Sequence, residues 1–556
     1  MNEGNVRGPA MADRDGSLHG PWRAMLVDDP RPLPFVLAAV VLVAAAGWLL
    51  AAPDRIVSRQ MTWDMLFNLA GAWHLHNGHV AHVDFHDPLG VVTFLLTAIG
   101  FRLTGPSVWG FIAGEVLAAA VLGGAAIIVA LTRLAFVPGL VFVAFTCLLV
   151  LAPTNVGESV NVITFAMSYN AIGWAALGVF SLILFLPPRR ALLDGWVDVA
   201  VGGALVLGLY HLKITYFGAA MGELAVALVV SEPIRRVRWC VAGVALAAYA
   251  VAPYNWAYLG DVLSAVGTGA VNSDARDLVV MVFDNVAELA LVAIAGLAAI
   301  ALWRSGQVSA RLPAAIVMLI ASAVAIMSQN TQERGLTLSV ALAFLLYDHF
   351  RGDKAGGRAS APLWVLLALL IFPLITTSKK AASLAIYHWQ AVQSDRLFVF
   401  EQAPLRGLAI PAGTPSLLEA VGRRRVDHTM FNRIRAVDTD NEQISQFEYG
   451  QTLVEAATLF ATPERREGTM VVLDQINPLP FMLGRVPLRG QSLWLALQFP
   501  WPPAQDMFAD AAYVMIPKFP ISLEITRTAI ERYGAYLEEH FPARSESASW
   551  FLLARR

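Results

Sequence analysis

The stretch that decides the fold is residues 62–90, TWDMLFNLAGAWHLHNGHVAHVDFHDPLG, which directly follow the first long apolar segment of the chain. Three aspartates and five histidines lie together in this short loop. Ionisable groups kept beside a membrane usually serve chemistry, transport or metal binding. The loop is therefore the first candidate for a functional site.

The chain as a whole has the composition of an integral membrane protein. Of its 556 residues, 57% are hydrophobic and 15% are charged, and the mean hydropathy is +0.57. The net charge of -2 and the scattered basic residues do not indicate nucleic-acid binding. The two cysteines, Cys147 and Cys240, fall in apolar segments, so any exported domain must fold without a disulfide framework.

Eleven apolar runs approach the roughly 17–25 residues that a helix needs to cross the hydrocarbon. With the N-terminus inside, the cytoplasmic loops carry more arginine and lysine than the opposite loops, as the positive-inside rule requires. The chain is then a multi-pass protein of a bacterial inner membrane with its C-terminal region in the periplasm. The predicted spans are 33–52, 107–131, 136–152, 169–186, 196–211, 214–231, 239–259, 286–303, 312–328, 336–350 and 361–377.

Three parts follow from this topology. Residues 1–32 are predicted to be a disordered cytoplasmic tail, and residues 33–377 a transmembrane domain with its first outer loop at 53–106. That loop contains an apolar run at 89–103, too short to span and predicted to be an interfacial helix. From residue 378 onward the sequence predicts a small α/β periplasmic domain. Its β-type runs and helix pattern are at 469–474, 511–517, 549–554 and 521–540.

Within the first outer loop, residues 61–76 predict a surface helix. Asp64, Asn68 and Gly71 share one face, away from an apolar stripe of Trp63, Leu66, Phe67, Ala70 and Trp73. Such a helix would present Asp64 along a groove. The alternative, equally open, is that Asp64 lies in the first turn and only stabilises the helix dipole.

A second element of the loop is the alternation of His82, Asp84 and His86 with apolar residues. In an extended conformation these three side chains share one face and could hold a divalent metal, with Asp87 as a further oxygen ligand. The histidines could instead make the protein sensitive to pH near neutrality. The sequence predicts no other cofactor.

The loop also resembles a known family. An aspartate soon after the first span, a helix with an N-x-A pattern, an H-x-D-F-x-D-P-L-G segment and a half-length apolar run ending near Gly105 resemble the first outer loop of the GT-C membrane glycosyltransferases. These enzymes, which include protein O-mannosyltransferases and lipid A aminoarabinose transferases, transfer sugar from a polyprenyl-phosphate carrier to an acceptor on the outer side. The resemblance covers residues 33–350 in architecture and identifies no subfamily.

The resemblance implies roles for individual residues. The loop aspartate of the family maps onto Asp64 as general base, and its aspartate and Pro-Leu element map onto Asp84, Asp87, Pro88 and Leu89. Several members carry paired acids where this chain has Asp64 followed by methionine, so no two-carboxylate site is implied at that position.

Other candidates lie at the outer ends of the predicted spans. Candidates for binding the lipid phosphate are Lys213, Arg334 and His211. The alternatives are that Lys213 only snorkels to the membrane surface and that Arg334 pairs with its neighbour Glu333. Glu158 is a candidate acid in the second outer loop. Candidates for binding acceptor or sugar are Asn68, His86, Tyr169 and Asn170, although a buried Asn170 more often satisfies polar groups within the bundle.

Two other classes stay open at this point. A transporter or lipid flippase would place charges within the spans, where Glu115, Glu223 and Glu288 are the candidates. A metal-dependent hydrolase or phosphotransferase would use the histidine cluster. The resemblance favours a hexosyl- or pentosyltransferase whose partners are a polyprenyl-phosphate-linked sugar, a glycan, lipid or protein acceptor, and membrane lipids.

Overall fold

The structure is a computed structural model that describes residues 32–189, 195–230, 241–243, 254–267, 286–306, 309–328, 337–351, 363–393, 395–413, 444–462, 465, 467–497 and 499–555. Three expectations fall outside these residues: the tail before residue 32, the role of Arg334, and most of the span at 239–259. The side chain of Glu288 also lies outside them.

Up to residue 393 the described chain is mainly helical. Nine of its helices agree with predicted spans to within two residues at each end. The helices are α1 Pro32–Ala51, α2 Thr62–His76, α3 Val92–Thr104, α4 Val108–Arg133, α5 Phe136–Leu151, α6 Ser168–Phe185, α7 Trp196–Leu212, α8 Ile214–Val230, α9 Tyr254–Gly267, α10 Val286–Arg304, α11 Arg311–Met327, α12 Leu338–Phe350 and α13 Leu363–Gln393.

The helices have the character of a membrane protein. Within the described residues, α1, α4, α6 and residues 364–393 of α13 are long and apolar enough to cross a membrane by length and composition. Shorter apolar helices of 10–17 residues, among them α5, α7, α8, α11 and α12, complete the bundle. The helical membrane class is therefore supported, whereas the count of eleven crossings stays a prediction.

Helix α3 is the short apolar run predicted to be interfacial. Its 13 residues make a helix about 20 Å long, less than the roughly 30 Å thickness of the hydrocarbon. It packs closely along α4, because a Cβ on Gly100 would lie 1.8 Å from the carbonyl oxygen of Gly110. This close packing holds the first loop against the bundle.

Helix α13 is longer than the span predicted at 361–377. It has 31 residues, or about 46 Å at 1.5 Å per residue. Lys380, expected near lipid headgroups, is buried and donates to the carbonyl of Thr154 at 3.1 Å. The helix thus continues through the boundary predicted at residue 378.

The C-terminal region contains the predicted α/β unit. A four-stranded sheet has the strand order Met470–Val472, Tyr513–Pro517, Trp550–Ala554 and Ala543–Glu546. The first two strands are parallel, and the other neighbours are antiparallel. Apolar side chains of the helix Leu523–His540 and of the sheet, such as Ile530 and Val514, form the core of this unit. The elements are β3 Leu397–Val399, β4 Leu408–Pro411, α14 Gln446–Leu459, β5 Met470–Val472, α15 Leu479–Met482, β6 Gln491–Ser492, α16 Ala504–Met507, β7 Tyr513–Pro517, α17 Leu523–His540, β8 Ala543–Glu546 and β9 Trp550–Ala554.

Two short parallel pairings join the C-terminal region to the first loop. Strand β1, Ile56–Val57, pairs with β4, and strand β2, Phe85–His86, pairs with β6. The first loop therefore lies between the helix bundle and the C-terminal region, in contact with both.

At the opposite end of the bundle, several arginines and aspartates pair with one another; we call this the arginine end. The buried Arg133 lies 2.7 Å from Asp198. Asp348 contacts Arg189 at 3.4 Å and Arg351 at 3.3 Å. The Arg133–Asp198 and Arg189–Asp348 pairs connect parts of the bundle that are far apart in sequence.

Candidate active site

A cavity of about 560 Å³ lies at the end of the bundle opposite the arginine end. The first loop, the start of α6, the junction of α7 and α8, helix α9 and the C-terminal region form its walls. Its lining residues include Asp64, Asn68, Asp87, Pro88, Leu89, Met167, Tyr169, Lys213, Thr215, Val262, Gln475, Trp494 and Phe499. Five residues predicted from sequence as site candidates, Asp64, Asn68, Asp87, Tyr169 and Lys213, thus meet in one cavity.

Asp64 lies in the first turn of α2 with its carboxyl largely withdrawn from bulk water. Removal from water raises the pKa of this carboxyl to about 7, and a hydrogen bond from the backbone of Met167 offsets part of the rise. Met167 and Met61, which precede α6 and α2, both have left-handed backbone with φ of 51° and 52°. Such strained positions in non-glycine residues often mark functional sites.

The Asp-Pro-Leu-Gly turn brings Asp87 into the same cavity. The Asp87 carboxylate accepts the backbone N–H of Leu89 at 2.7 Å, and the N–H of Gly90 donates to the carbonyl of Leu212 at 3.0 Å. A Cβ on Gly90 would lie 2.0 Å from the carbonyl oxygen of His211, so only glycine lets the turn approach α7 this closely.

Asp87 is more deeply buried than Asp64. Burial raises its pKa well above the ordinary value; the hydrogen bond from Leu89 opposes the rise and the nearby charge of Asp261 adds to it. The raised pKa favours the neutral form of this carboxyl, which can donate a hydrogen bond. Two carboxyls with raised pKa values thus line one cavity.

Lys213 is the single residue between α7 and α8. Its Nζ lies 3.4 Å from Oδ1 of Asn170 and 5.3 Å from the centroid of the Tyr169 ring. Both neighbours open helix α6. The ammonium group therefore lies where α6 and α8 begin.

Helix geometry adds positive potential to this wall. The first residues of α2, α6 and α8, represented by Asp64, Ser168 and Thr215, all line the cavity. Helix N-termini carry partial positive charge and unpaired N–H groups, which suit a phosphate. The buried Oγ1 of Thr215 also has no hydrogen-bond partner among the described residues.

The two asparagine candidates differ in what their side chains contact. Asn68 lines the cavity, but its carboxamide donates to the carbonyl of Thr93 at 2.8 Å and accepts from Thr97 at 2.7 Å. It therefore connects α2 to α3. Asn170 is buried beside Lys213, and its Nδ2 has no partner in the part of the chain that the structure describes.

Three further candidates lie outside the cavity lining. Asp84 accepts the N–H of Val80 at 2.8 Å and pairs with Arg489 at 3.6 Å, so it helps to attach the C-terminal region. Glu158 is partly exposed in the loop between α5 and α6. His211 lies at the end of α7, with its backbone under Gly90.

The prediction of an extended conformation for residues 82–87 is wrong. His82 has φ of 66° and belongs to a turn, and only Phe85–His86 forms a strand. His82 and His86 both turn their Nδ1 atoms toward Asp261 of α9, each at 2.9 Å. Asp84 points elsewhere, so His82, Asp84 and His86 do not form a ligand set, and the described residues contain no other group suited to a metal.

Within the spans, the glutamates of the transporter hypothesis are held inside the bundle. Glu223 is fully buried and accepts from Ser181 at 2.6 Å. Glu115, on α4, is also buried. Neither lines the cavity of about 560 Å³.

Sequence reasoning missed several residues of the site. Asp261 had no signal, because nothing in the sequence links it to the histidines. Gln475, Trp494 and Phe499 come from the C-terminal region. Gln475 follows the predicted strand at 469–474, and a polar residue just beyond a parallel strand is a position where ligands often bind.

Comparison with solved structures finds proteins similar to this chain. No protein-family model matches the chain, and no curated protein matches it. The cryo-EM structure of the arabinofuranosyltransferase AftD from mycobacteria is similar with a TM-score of 0.43 and 12% sequence identity, covering 95% of this chain and 40% of that one. The chain thus spans less than half of that protein, and at this TM-score the likeness decides neither fold nor activity.

Proposed function

We propose that the protein is a membrane glycosyltransferase of the GT-C type, which transfers a sugar from a polyprenyl phosphate to an acceptor hydroxyl. One observation carries the proposal: Asp64, with a pKa of about 7, and Lys213 line the same cavity at the end of an apolar helix bundle. A base and a phosphate-binding cation are the two groups that this reaction requires.

In the proposed reaction Asp64 is the general base. It takes the proton of the acceptor hydroxyl while that oxygen attacks the anomeric carbon. The bond between the anomeric carbon and the phosphate oxygen breaks, and the carrier leaves as the lipid phosphate with both bonding electrons. Attack opposite the leaving group inverts the anomeric configuration. A positioned base of this kind accelerates such reactions roughly 10²–10⁴-fold.

Lys213 and the N-termini of α6 and α8 stabilise the leaving phosphate. Charge grows on the phosphate oxygens as the bond breaks, and groups already oriented toward that charge lower the barrier. Arg334, which precedes α12 in the sequence, is proposed to assist. Asp87, whose raised pKa favours the neutral carboxyl, is proposed to donate a hydrogen bond to the sugar or phosphate.

The proposed orientation places the cavity on the outer side of a bacterial inner membrane. The arginine end would then face the cytoplasm, as expected from the positive-inside rule. The lipid-linked sugar would enter from the outer leaflet, with its chain along apolar residues such as Val262 and Val266 of the cavity wall.

A donor assay tests the proposal. The purified full-length protein is incubated with a panel of polyprenyl-phosphate pentoses and hexoses, and consumption of each donor is measured. We expect one class of donor to be consumed with release of polyprenyl phosphate. Consumption of none of them, by protein that remains folded, contradicts the proposal.

A further inference from the structure

The C-terminal region provides one wall of the cavity. Gln475, Trp494 and Phe499 line it together with Asp64, although they lie more than 400 residues further along the chain. The parallel pairing of β6 with β2 attaches this wall to the first loop. The C-terminal wall and the wall that carries Lys213 are therefore formed by different parts of the chain.

Gln475 is held firmly in place. The neighbouring Asp474 is buried, and its carboxylate accepts the N–H groups of Gln475 at 2.7 Å and of Ile521 at 3.0 Å. The carbonyl of Gln475 accepts the N–H of Leu495 at 2.9 Å. Gln475 lines the cavity, and its carboxamide makes no hydrogen bond with any described residue.

Trp494 is fixed beside Gln475. It forms a β-bridge with Ile476, and its ring meets the ring of Phe67 edge to face at 5.5 Å. The backbone of the preceding Leu493 donates to the carbonyl of His86 at 3.1 Å. Trp494 and Gln475 thus both belong to a rigid wall of the cavity.

We propose that this wall binds a sugar ring of the acceptor, so that the acceptor is a carbohydrate; the inference rests on the proposed function. Aromatic rings pack against the C–H face of a sugar, and a carboxamide can both donate to and accept from its hydroxyls. Lys213 and the helix N-termini suit the donor phosphate instead. A hydrocarbon chain would offer no hydrogen-bond partner to the carboxamide of Gln475.

Saturation-transfer NMR tests the sugar site directly. The full-length protein, in a detergent without a sugar headgroup, is mixed with methyl glycosides of common pentoses and hexoses. We expect saturation of the ring protons of at least one glycoside. Trp494→Leu keeps an apolar contact with Phe67 but lacks the ring face, so its Kd should rise by about tenfold, whereas Trp494→Phe should bind nearly normally.

Gln475→Leu should also weaken binding, because it removes the hydrogen bonds but not the volume. Trp389→Leu and Gln393→Leu, on the exposed end of α13, serve as matched controls and should bind like the wild type. Absence of saturation transfer to every glycoside overturns the inference, as does unchanged binding in Trp494→Leu.

Donor consumption, measured on the same preparations, separates the two proposals. If the wild type consumes donor but Trp494→Leu binds glycosides normally, the carbohydrate wall is wrong and the glycosyltransferase proposal stands. The opposite result is that the wild type consumes no donor but binds glycosides, and that Trp494→Leu loses this binding. In that case the sugar site stands and the glycosyltransferase proposal fails.

Discussion

The two ends of the helix bundle use charge in different ways. At the arginine end, Arg133 and Asp198 pair at 2.7 Å, and Asp348 contacts two arginines. At the cavity end, the carboxyls of Asp64 and Asp87 receive backbone hydrogen bonds, and their pKa values are raised. No basic side chain among the described residues lowers the pKa of either carboxyl.

This difference separates structural charges from reactive ones. A carboxylate held by a guanidinium stays ionised and contributes to stability, but it is a poor base. A carboxyl withdrawn from water without such a partner titrates near neutrality and can exchange a proton during a reaction. The same residue type therefore serves two purposes, according to what surrounds it.

The largest expected effect is the loss of activity in Asp64→Asn. The variant keeps the size of the side chain but cannot accept the proton, so turnover should fall roughly 10²–10⁴-fold. Folding should be preserved, because an amide avoids the cost of a charge in this partly buried position. Donor consumption and thermal unfolding of the purified protein measure the two quantities.

Asp198→Asn is the matched substitution at the arginine end. It leaves the buried Arg133 without its carboxylate, which typically costs about 3–5 kcal/mol of stability. We expect a lower unfolding temperature but normal turnover per folded molecule. If Asp64→Asn is the unstable variant and Asp198→Asn the inactive one, the comparison of the two ends is reversed.

The next effect is a loss of phosphate stabilisation in Lys213→Met. Removing one oriented charge from a transition state typically lowers kcat by roughly 10²–10³-fold. Lys379→Met, which changes an exposed lysine of α13, is the control and should leave kcat unchanged. Equal kcat values for the two variants would show that Lys213 only snorkels to the membrane surface.

The smallest effect is expected at Asp84, which the family resemblance marks as catalytic. Asp84 pairs with the exposed Arg489 at 3.6 Å, and such surface pairs contribute less than about 1 kcal/mol. Asp84→Asn should keep its turnover and lower the unfolding temperature only slightly. A loss of turnover comparable to that of Asp64→Asn would return Asp84 to the reaction.

The sequence predicts helix positions well, because the length of an apolar run limits where a helix can end. It also predicts Asp64 and Asp87 as site residues through the resemblance of the loop, and Lys213 through its position at the outer end of a predicted span. It does not predict the left-handed turn at His82, which removes the extended conformation. His82 and His86 meet Asp261 only through folding across more than 170 residues, and local sequence patterns carry no such information.

The C-terminal wall was missed for a similar reason. The strand before Gln475 is visible in the sequence, but its position beside Asp64 depends on the pairing of β2 with β6. Each of these strands has two residues, too few for a periodic pattern. Contacts of this kind require the folded chain.

The pH dependence of kcat/KM for donor consumption tests the central claim most directly. Because the base form of Asp64 predominates above its pKa, kcat/KM should rise with pH and level off above about 7. Asp87→Asn should keep this rise, because the proton acceptor is Asp64 and an amide at position 87 can still donate a hydrogen bond. A kcat/KM that does not change across neutrality, in wild type and Asp87→Asn alike, would contradict the assignment of Asp64 as the base.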